Sequence, residues 1–191
     1  MSDAPDRAGD FIDACIDDPD AARRMVEADP QVMYLTKIGS PILHWMVIED
    51  FQVGTQRLLE EFHVDVEHRD ESGQTALHRA AFLGRLGGAR LLLKNGADAE
   101  ALHEELHENP LHKAVEGEHL DVAILLIQHG ARPDYRLDSA TTIFHAMSHW
   151  IPESRQMLLD MLAQVGCTPE SFFREHGYDE TYDSIEDAFG W

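Results

Sequence analysis

GQTALHRAA, residues 73–81, is the stretch that decides the fold of this chain, because its Leu-His pair recurs about every 34 residues. Four such pairs share the spacing: Leu43-His44, Leu77-His78, Leu111-His112 and, after 33 positions, the related Phe144-His145. A period of this length is typical of a solenoid of short units, each too small to bury its own apolar face. It favours recognition through an extended surface over catalysis in a pocket.

Within one copy the residue types predict a helix, a tight turn, a second helix and an extended loop. Thr75 is a good N-cap for a first helix over residues 76–82, and Gly84 supplies the positive φ that ends it. A second helix is predicted over residues 89–94, with Asn95-Gly96 as its stop signal. Each copy is therefore expected to be a helix-turn-helix unit.

Two stretches of this copy, GQTALHRAA at 73–81 and LLLKNGAD at 91–98, resemble the ankyrin repeat, whose signature is T-P-L-H-x-A. NPLHKA at 109–114 resembles it nearly as well, and a looser likeness extends over roughly residues 8–168. The resemblance implies an all-α solenoid of about five helix-turn-helix units joined by hairpin loops. It also implies a structural role for the recurring histidines, which would bond backbone and neighbouring-repeat groups: His44, His78, His112 and His145.

The domain limits are expected to follow the same period. The predicted repeats lie at about residues 10–38, 39–69, 70–103, 104–136 and 137–167, after a flexible N-terminus at 1–9. Residues 168–191 mix acids with aromatics and begin with Thr168-Pro169, a good helix start. We expect this segment to be either a C-terminal helical cap on the last repeat or a protruding peptide that docks elsewhere.

The charge of the chain restricts its partners. The formal net charge is −21, from 36 acids against 15 bases. This balance argues against binding to nucleic-acid backbones or to anionic membranes, because both require a basic face. It is explained either by solubility alone or by attraction of a protein with a basic patch. We therefore expect a protein partner, and no nucleic acid or membrane.

The cellular location is predicted from what the sequence contains at its ends and in its cysteines. Cys15 and Cys167 have no metal or redox spacing, which fits a reduced cytosolic chain. The acidic start, MSDAPD, lacks the basic-then-apolar pattern of a signal peptide, and no apolar run approaches the length of a membrane span. A cytoplasmic monomer is the expectation.

A literal H-E-x-x-H motif occupies residues 103–107. On a helix it would place two imidazoles on one face for zinc, with Glu104 to activate water. Its place in the repeat predicts an extended hairpin loop instead, in which His103 and His107 lie roughly 13 Å apart, too far to share a metal. No enzyme activity and no cofactor are expected. Adventitious metal at His103, His107 and Glu108 stays open, and a metal-dependent hydrolase is a remote alternative.

The ankyrin resemblance implies binding at the hairpin tips and on the exposed side of each first helix, on the concave face. Carried over copy by copy, it gives these candidate contacts: Ile48, Glu49, Glu71, Ser72, Gln74, Phe82, Leu83, Glu105, Leu106, Glu108, Glu116, Asp138, Thr141, His149 and Trp150. Phe82, Leu83 and Trp150 are candidate apolar anchors among carboxylates. The main alternative is an acidic nucleic-acid mimic, such as an inhibitor or immunity protein, that occupies the site of a basic protein.

Overall fold

The computed structural model describes residues 6–132 and 143–168, and this part of the chain is predominantly helical. Its α-helices are α1 (Arg7–Asp17), α2 (Pro19–Ala28), α3 (Ile42–Ile48), α4 (Gln52–Glu60), α5 (Ala76–Phe82), α6 (Leu86–Lys94), α7 (Pro110–Glu116), α8 (Leu120–Gln128), α9 (Ile143–Ala146) and α10 (Pro152–Gln164). Two 3-10 helices span Pro30–Tyr34 and Met147–His149, and strands β1 (Thr36–Lys37) and β2 (Ser40–Pro41) pair antiparallel. Among these helices none is both long and apolar enough to cross a bilayer.

The described residues form two compact units. The first contains residues 6–80 and 85–98, and the second contains 81–84, 99–132 and 143–168. Apolar side chains from successive helices fill each core. In the first unit they include Phe11, Leu43, Leu58, Leu77 and Leu92; in the second they include Leu111, Val122, Leu126, Ile143 and Leu158. The leucines that set the period in the sequence are therefore core residues.

The N-terminal boundary differs from the predicted one. α1 begins at Arg7, within the segment 1–9 that was predicted to precede the repeats. The reason is a capping interaction, because the Asp6 side chain accepts a hydrogen bond from the Gly9 N–H at 3.0 Å. Lys37 also pairs with the Asp6 carboxylate, which lowers the pKa of Asp6. The first turn of α1 is therefore tied to β1.

The helix pair that decided the fold follows the prediction at three of its four ends. α5 spans Ala76–Phe82, and Gly84 and Gly96 have φ values of 65° and 89° after the two helices. α6, however, starts at Leu86, three residues earlier than predicted. Gly87 and Gly88 lower the helix propensity there, but a Cβ at Gly88 would lie only 3.2 Å from Val47. The glycines are thus helical residues that allow close packing within the first unit.

Candidate partner-binding surface

The residue three positions before His44, His78 and His112 determines how each imidazole is held. Before α5 this residue is Thr75, whose hydroxyl and backbone N–H lie 2.8 and 3.3 Å from Nδ1 of His78. Nδ1 therefore accepts, and Nε2 carries the proton. Both side chains are buried, so the pair fixes the start of α5.

Asn109 takes the same position before α7. Its side-chain oxygen accepts from the backbone N–H of His112 at 3.1 Å and from the ring Nδ1 of His112 at 3.1 Å. Nδ1 is a donor here, so His112 has the opposite tautomer to His78. The Asn109 amide nitrogen donates to the Arg132 carbonyl at 2.6 Å, which ties the start of α7 to the loop after α8.

Pro41 takes the position before α3 and offers no side-chain acceptor or donor, so α3 has no side-chain cap. His44 is fully buried and bonds the Gln74 carbonyl through Nε2 at 2.9 Å. Its Nδ1 has no hydrogen-bond partner among the residues that the structure describes. Burial lowers the pKa of His44, and the bond to Gln74 offsets this only in part. His44, His78 and His112 all have the structural role that the resemblance implied.

In the first unit, Asp70 organises the turn that carries the predicted contacts Glu71, Ser72 and Gln74. Its Oδ1 accepts from the N–H and hydroxyl of Ser72 at 2.9 and 2.6 Å and from the Gln74 N–H at 3.1 Å. Its Oδ2 accepts from the Arg79 guanidinium at 2.9 and 2.7 Å. Burial raises the pKa of Asp70, but the hydrogen bonds from Ser72 and Arg79 bring it down to about 2. A rigid turn therefore presents Glu71 and Ser72 to solvent.

The H-E-x-x-H segment forms the corresponding turn of the second unit, and it is tighter than predicted. Residues 104–106 form a turn, which the His103 N–H closes by donating to the Glu108 carbonyl at 2.9 Å. The buried His103 ring accepts at Nδ1 from the N–H groups of Glu105 and Leu106, both at 3.1 Å. The loop is therefore not strand-like between His103 and His107, as the prediction had it, because the imidazole stabilises a compact turn.

The same geometry bears on the metal hypotheses. His103 uses Nδ1 for the turn, whereas His107 is exposed and has a left-handed φ of 54°. Across residues 6–132 and 143–168, no group of three or more His, Cys, Asp or Glu side chains is placed to hold a metal ion. Neither adventitious metal at His103, His107 and Glu108 nor the hydrolase alternative gains support from this arrangement.

Lys113 pairs with two of the carboxylates that were predicted to face a partner and compensates part of their charge. Its ammonium is buried on α7, 2.5 Å from the Glu108 carboxylate and 2.9 Å from that of Glu116. Burial lowers the pKa of Lys113, but the two carboxylates more than offset this, so the net shift is upward. The lysine is charged, and Glu108 and Glu116 are held together by an ion pair within the chain.

The predicted contacts at the helix ends are accessible to different degrees. In the first unit, Glu49 is exposed and Ile48 is half-buried at the end of α3. In the second unit, Phe82 is 41% exposed and Leu83 is also exposed. The Phe82 carbonyl approaches Gly117 so closely that a Cβ there would lie 2.4 Å away. Phe82 therefore lies beside the end of α7.

Trp150 was predicted to lie on the partner-binding surface, but the structure buries it. Its side chain is only 5% exposed, and its Nε1 donates to the Val115 carbonyl at 3.1 Å. The prediction of an accessible anchor is wrong because the indole fills the core of the second unit. The neighbouring His149 is exposed. The following lie outside the described residues: Asp138, Thr141, the side chain of His145, and the predicted cap or tail at 169–191.

Ile38 was not among the predicted contacts, although it lies between β1 and β2 and is strongly exposed. The signal was available, because Ile38 precedes Ser72 by the same 34 positions by which Leu106 follows it. Applying the period to the first hairpin would have added Ile38 to the candidates.

Helix pairs that repeat with the sequence period, linked by turns that present side chains, define a helical-repeat binding protein. A family model described as ankyrin repeats in three copies matches residues 11–103, and one described as ankyrin repeat matches residues 107–137. The chain belongs to the ankyrin-repeat family, and the predicted all-α ankyrin-repeat solenoid is confirmed. Repeats of this family are protein–protein interaction modules and are typically non-enzymatic.

The chain is also similar to parts of larger proteins. The B-cell lymphoma 3 protein homolog of Mus musculus is 33% identical over 133 residues, which are 68% of this chain and 30% of that protein. Neurogenic locus notch homolog protein 1 of Mus musculus is 32% identical over 123 residues, 64% of this chain and 5% of that protein. Palmitoyltransferase ZDHHC13 of Homo sapiens is 39% identical over 75 residues, 39% of this chain and 12% of that protein. The chain spans less than a third of each of these relatives.

Proposed function

We propose that this protein is a non-catalytic binding module for a protein with a basic patch, which it contacts through its hairpin turns and the exposed ends of its first helices on the concave ankyrin surface. The observation that carries the proposal is the turn at 103–108. Leu106 is 52% exposed beside the exposed Glu105, while the nearby cation Lys113 is buried. An apolar side chain next to a carboxylate suits a partner that offers Lys or Arg around an apolar contact.

The ion pair at Lys113 refines which carboxylates attract the partner. Glu108 and Glu116 already share the buried ammonium, so part of their charge is compensated within the chain. Glu71 in the first unit and Glu105 in the second are exposed and stand on turns that hydrogen bonds hold rigid. We therefore assign the long-range attraction mainly to Glu71 and Glu105 and to the net charge of −21.

Phe82 and Leu83 supply the second part of the proposed contact. Exposed aromatic and aliphatic groups in a charged surround are the residue types that dominate binding free energy at interfaces. Phe82 is placed beside the end of α7, because Gly117 leaves room for its carbonyl. Truncation of a central anchor of this kind costs about 2 kcal/mol or more of binding free energy.

The test is affinity capture from native lysate, with identification by mass spectrometry, followed by titration of the purified partner. Wild type is compared with Phe82→Ala and with Met157→Ala, a matched control on α10 that is 53% exposed and outside the proposed surface. We expect a basic protein whose binding weakens as salt rises from about 50 to about 500 mM. Phe82→Ala should weaken it at least about thirtyfold, and Met157→Ala should leave it unchanged.

Two results would contradict the proposal. Binding that depends on salt but ignores Phe82→Ala would indicate the acidic mimic, in which carboxylates alone carry recognition. An affinity that does not change with salt concentration would contradict the proposal that the partner has a basic patch. We also propose that the protein is a cytoplasmic monomer. Sedimentation of the purified chain tests the monomeric state. The limits of the individual repeats stay a prediction.

A further inference from the structure

The hairpin between β1 and β2 contains an isoleucine in an unfavourable backbone conformation. Thr36 pairs with Pro41 and Lys37 with Ser40, so Ile38 and Gly39 alone form the turn. Their φ angles are 51° and 77°. Two positive values in a two-residue hairpin are those of a type I′ turn, for which Asn-Gly is preferred. Gly39 suits this geometry, whereas a β-branched residue such as Ile38 is strained by it.

The Ile38 side chain contributes little to the packing of the fold. Ile38 is 81% exposed, the largest value among the described large apolar residues. The position one period later is Ser72, a polar residue in a turn whose positive φ falls on Gly73. The turn one period later is therefore built differently, without an apolar group at its tip. Strain that brings no packing in return is characteristic of functional positions.

We propose that the Ile38 side chain inserts into an apolar cleft on the partner protein. This inference rests on the proposed function and adds a contact at the first hairpin that the sequence analysis did not contain. The branched hydrocarbon offers no hydrogen-bonding group, and the adjacent Lys37 ammonium is paired with Asp6. The tip is thus a neutral apolar projection, whose complement is a cleft lined by apolar side chains.

The charge of the chain decides between two occupants of this surface. A second copy of this protein would bring another net charge of −21, so self-association is opposed by repulsion. A cationic protein is attracted by the same charge. The occupant is therefore a basic protein with an apolar cleft, and not a second copy.

The first arm of the test needs only the purified full-length chain. Ile38→Asn places the preferred residue in the type I′ turn, so the melting temperature should rise by about 2–4 °C. Ile38→Val keeps the β-branched backbone strain and most of the apolar surface, and it should melt like wild type. A lower melting temperature for Ile38→Asn would overturn the premise that the isoleucine is strained.

The second arm measures affinity for the purified protein identified by capture on wild type. Ile38→Asn should weaken binding at least about tenfold, which is the scale of burying one aliphatic side chain, while Ile38→Val should bind within about threefold of wild type. A gain of stability together with a loss of affinity has no explanation in a purely structural role. Equal affinity for Ile38→Asn would overturn this inference and leave the proposed function intact. Failure to find any partner for wild type would overturn both.

Discussion

Replacing Trp150 by alanine should lower the free energy of unfolding substantially instead of only weakening a contact with a partner. The indole is almost completely buried, and truncation of a buried Trp to Ala costs about 3–5 kcal/mol. Its Nε1 bond to the Val115 carbonyl adds about 1 kcal/mol within that range. No orphaned acceptor is left, because the same carbonyl also accepts from the Glu118 N–H at 3.1 Å.

Urea denaturation followed by circular dichroism measures this effect, and tryptophan fluorescence is avoided because the variant lacks one reporter. Trp150→Phe should cost only about 1–2 kcal/mol, since it keeps most of the buried area and loses the hydrogen bond. His149→Ala is the matched control, exposed on the neighbouring position and expected within about 0.5 kcal/mol of wild type. An unchanged urea midpoint for Trp150→Ala would refute the assignment of this side chain to the core.

Three further predictions concern titratable groups. Burial lowers the pKa of His44 below its usual 6.5, so on acidification the unfolded state takes up the proton first, and stability should fall as pH drops below about 6.5. His44→Gln should reduce this pH dependence of stability, and the exposed control His129→Gln should not. Because the pKa of Asp70 is lowered from 3.8 to about 2, roughly 2 kcal/mol of stability should be lost as pH falls from about 4 to 2, and acid titration of Asp70→Asn should lack this step. Burial raises the pKa of Cys15 to about 12, so in a Cys167→Ser background Ellman's reagent should label Cys15 only after unfolding, and rapid labelling of the native chain would contradict its burial.

The helical part of the fold could be predicted from the sequence because its signals are local. The Leu-His pairs and the leucine clusters repeat at one period, and the core leucines, such as Leu77 and Leu92, are the residues that carry it. Gly84 and Gly96 were predicted to end helices, and both have positive φ. Propensity failed at the start of α6, where packing of Gly88 against Val47 outweighs its weak preference for helix.

The candidate surface was predicted less well, because accessibility depends on contacts that are remote in sequence. Trp150 was expected to be exposed, yet its partner Val115 lies 35 positions away. Lys113 was not recognised as the ion-pair partner of Glu108 and Glu116, because only the folded turn brings those carboxylates to one ammonium. The strain at Ile38 is also invisible in a pattern of residue types, since it arises from the register of the hairpin.

Hydrogen–deuterium exchange of the complex with the purified partner tests the central claim most directly. If the hairpin turns and first-helix ends form the binding surface, amides at residues 36–41, 70–74 and 104–108 should exchange more slowly in the complex than in the isolated chain. The outward face of α10, including Met157, should exchange at the same rate in both states. Protection confined to α10 and absent from the three turns would contradict the account.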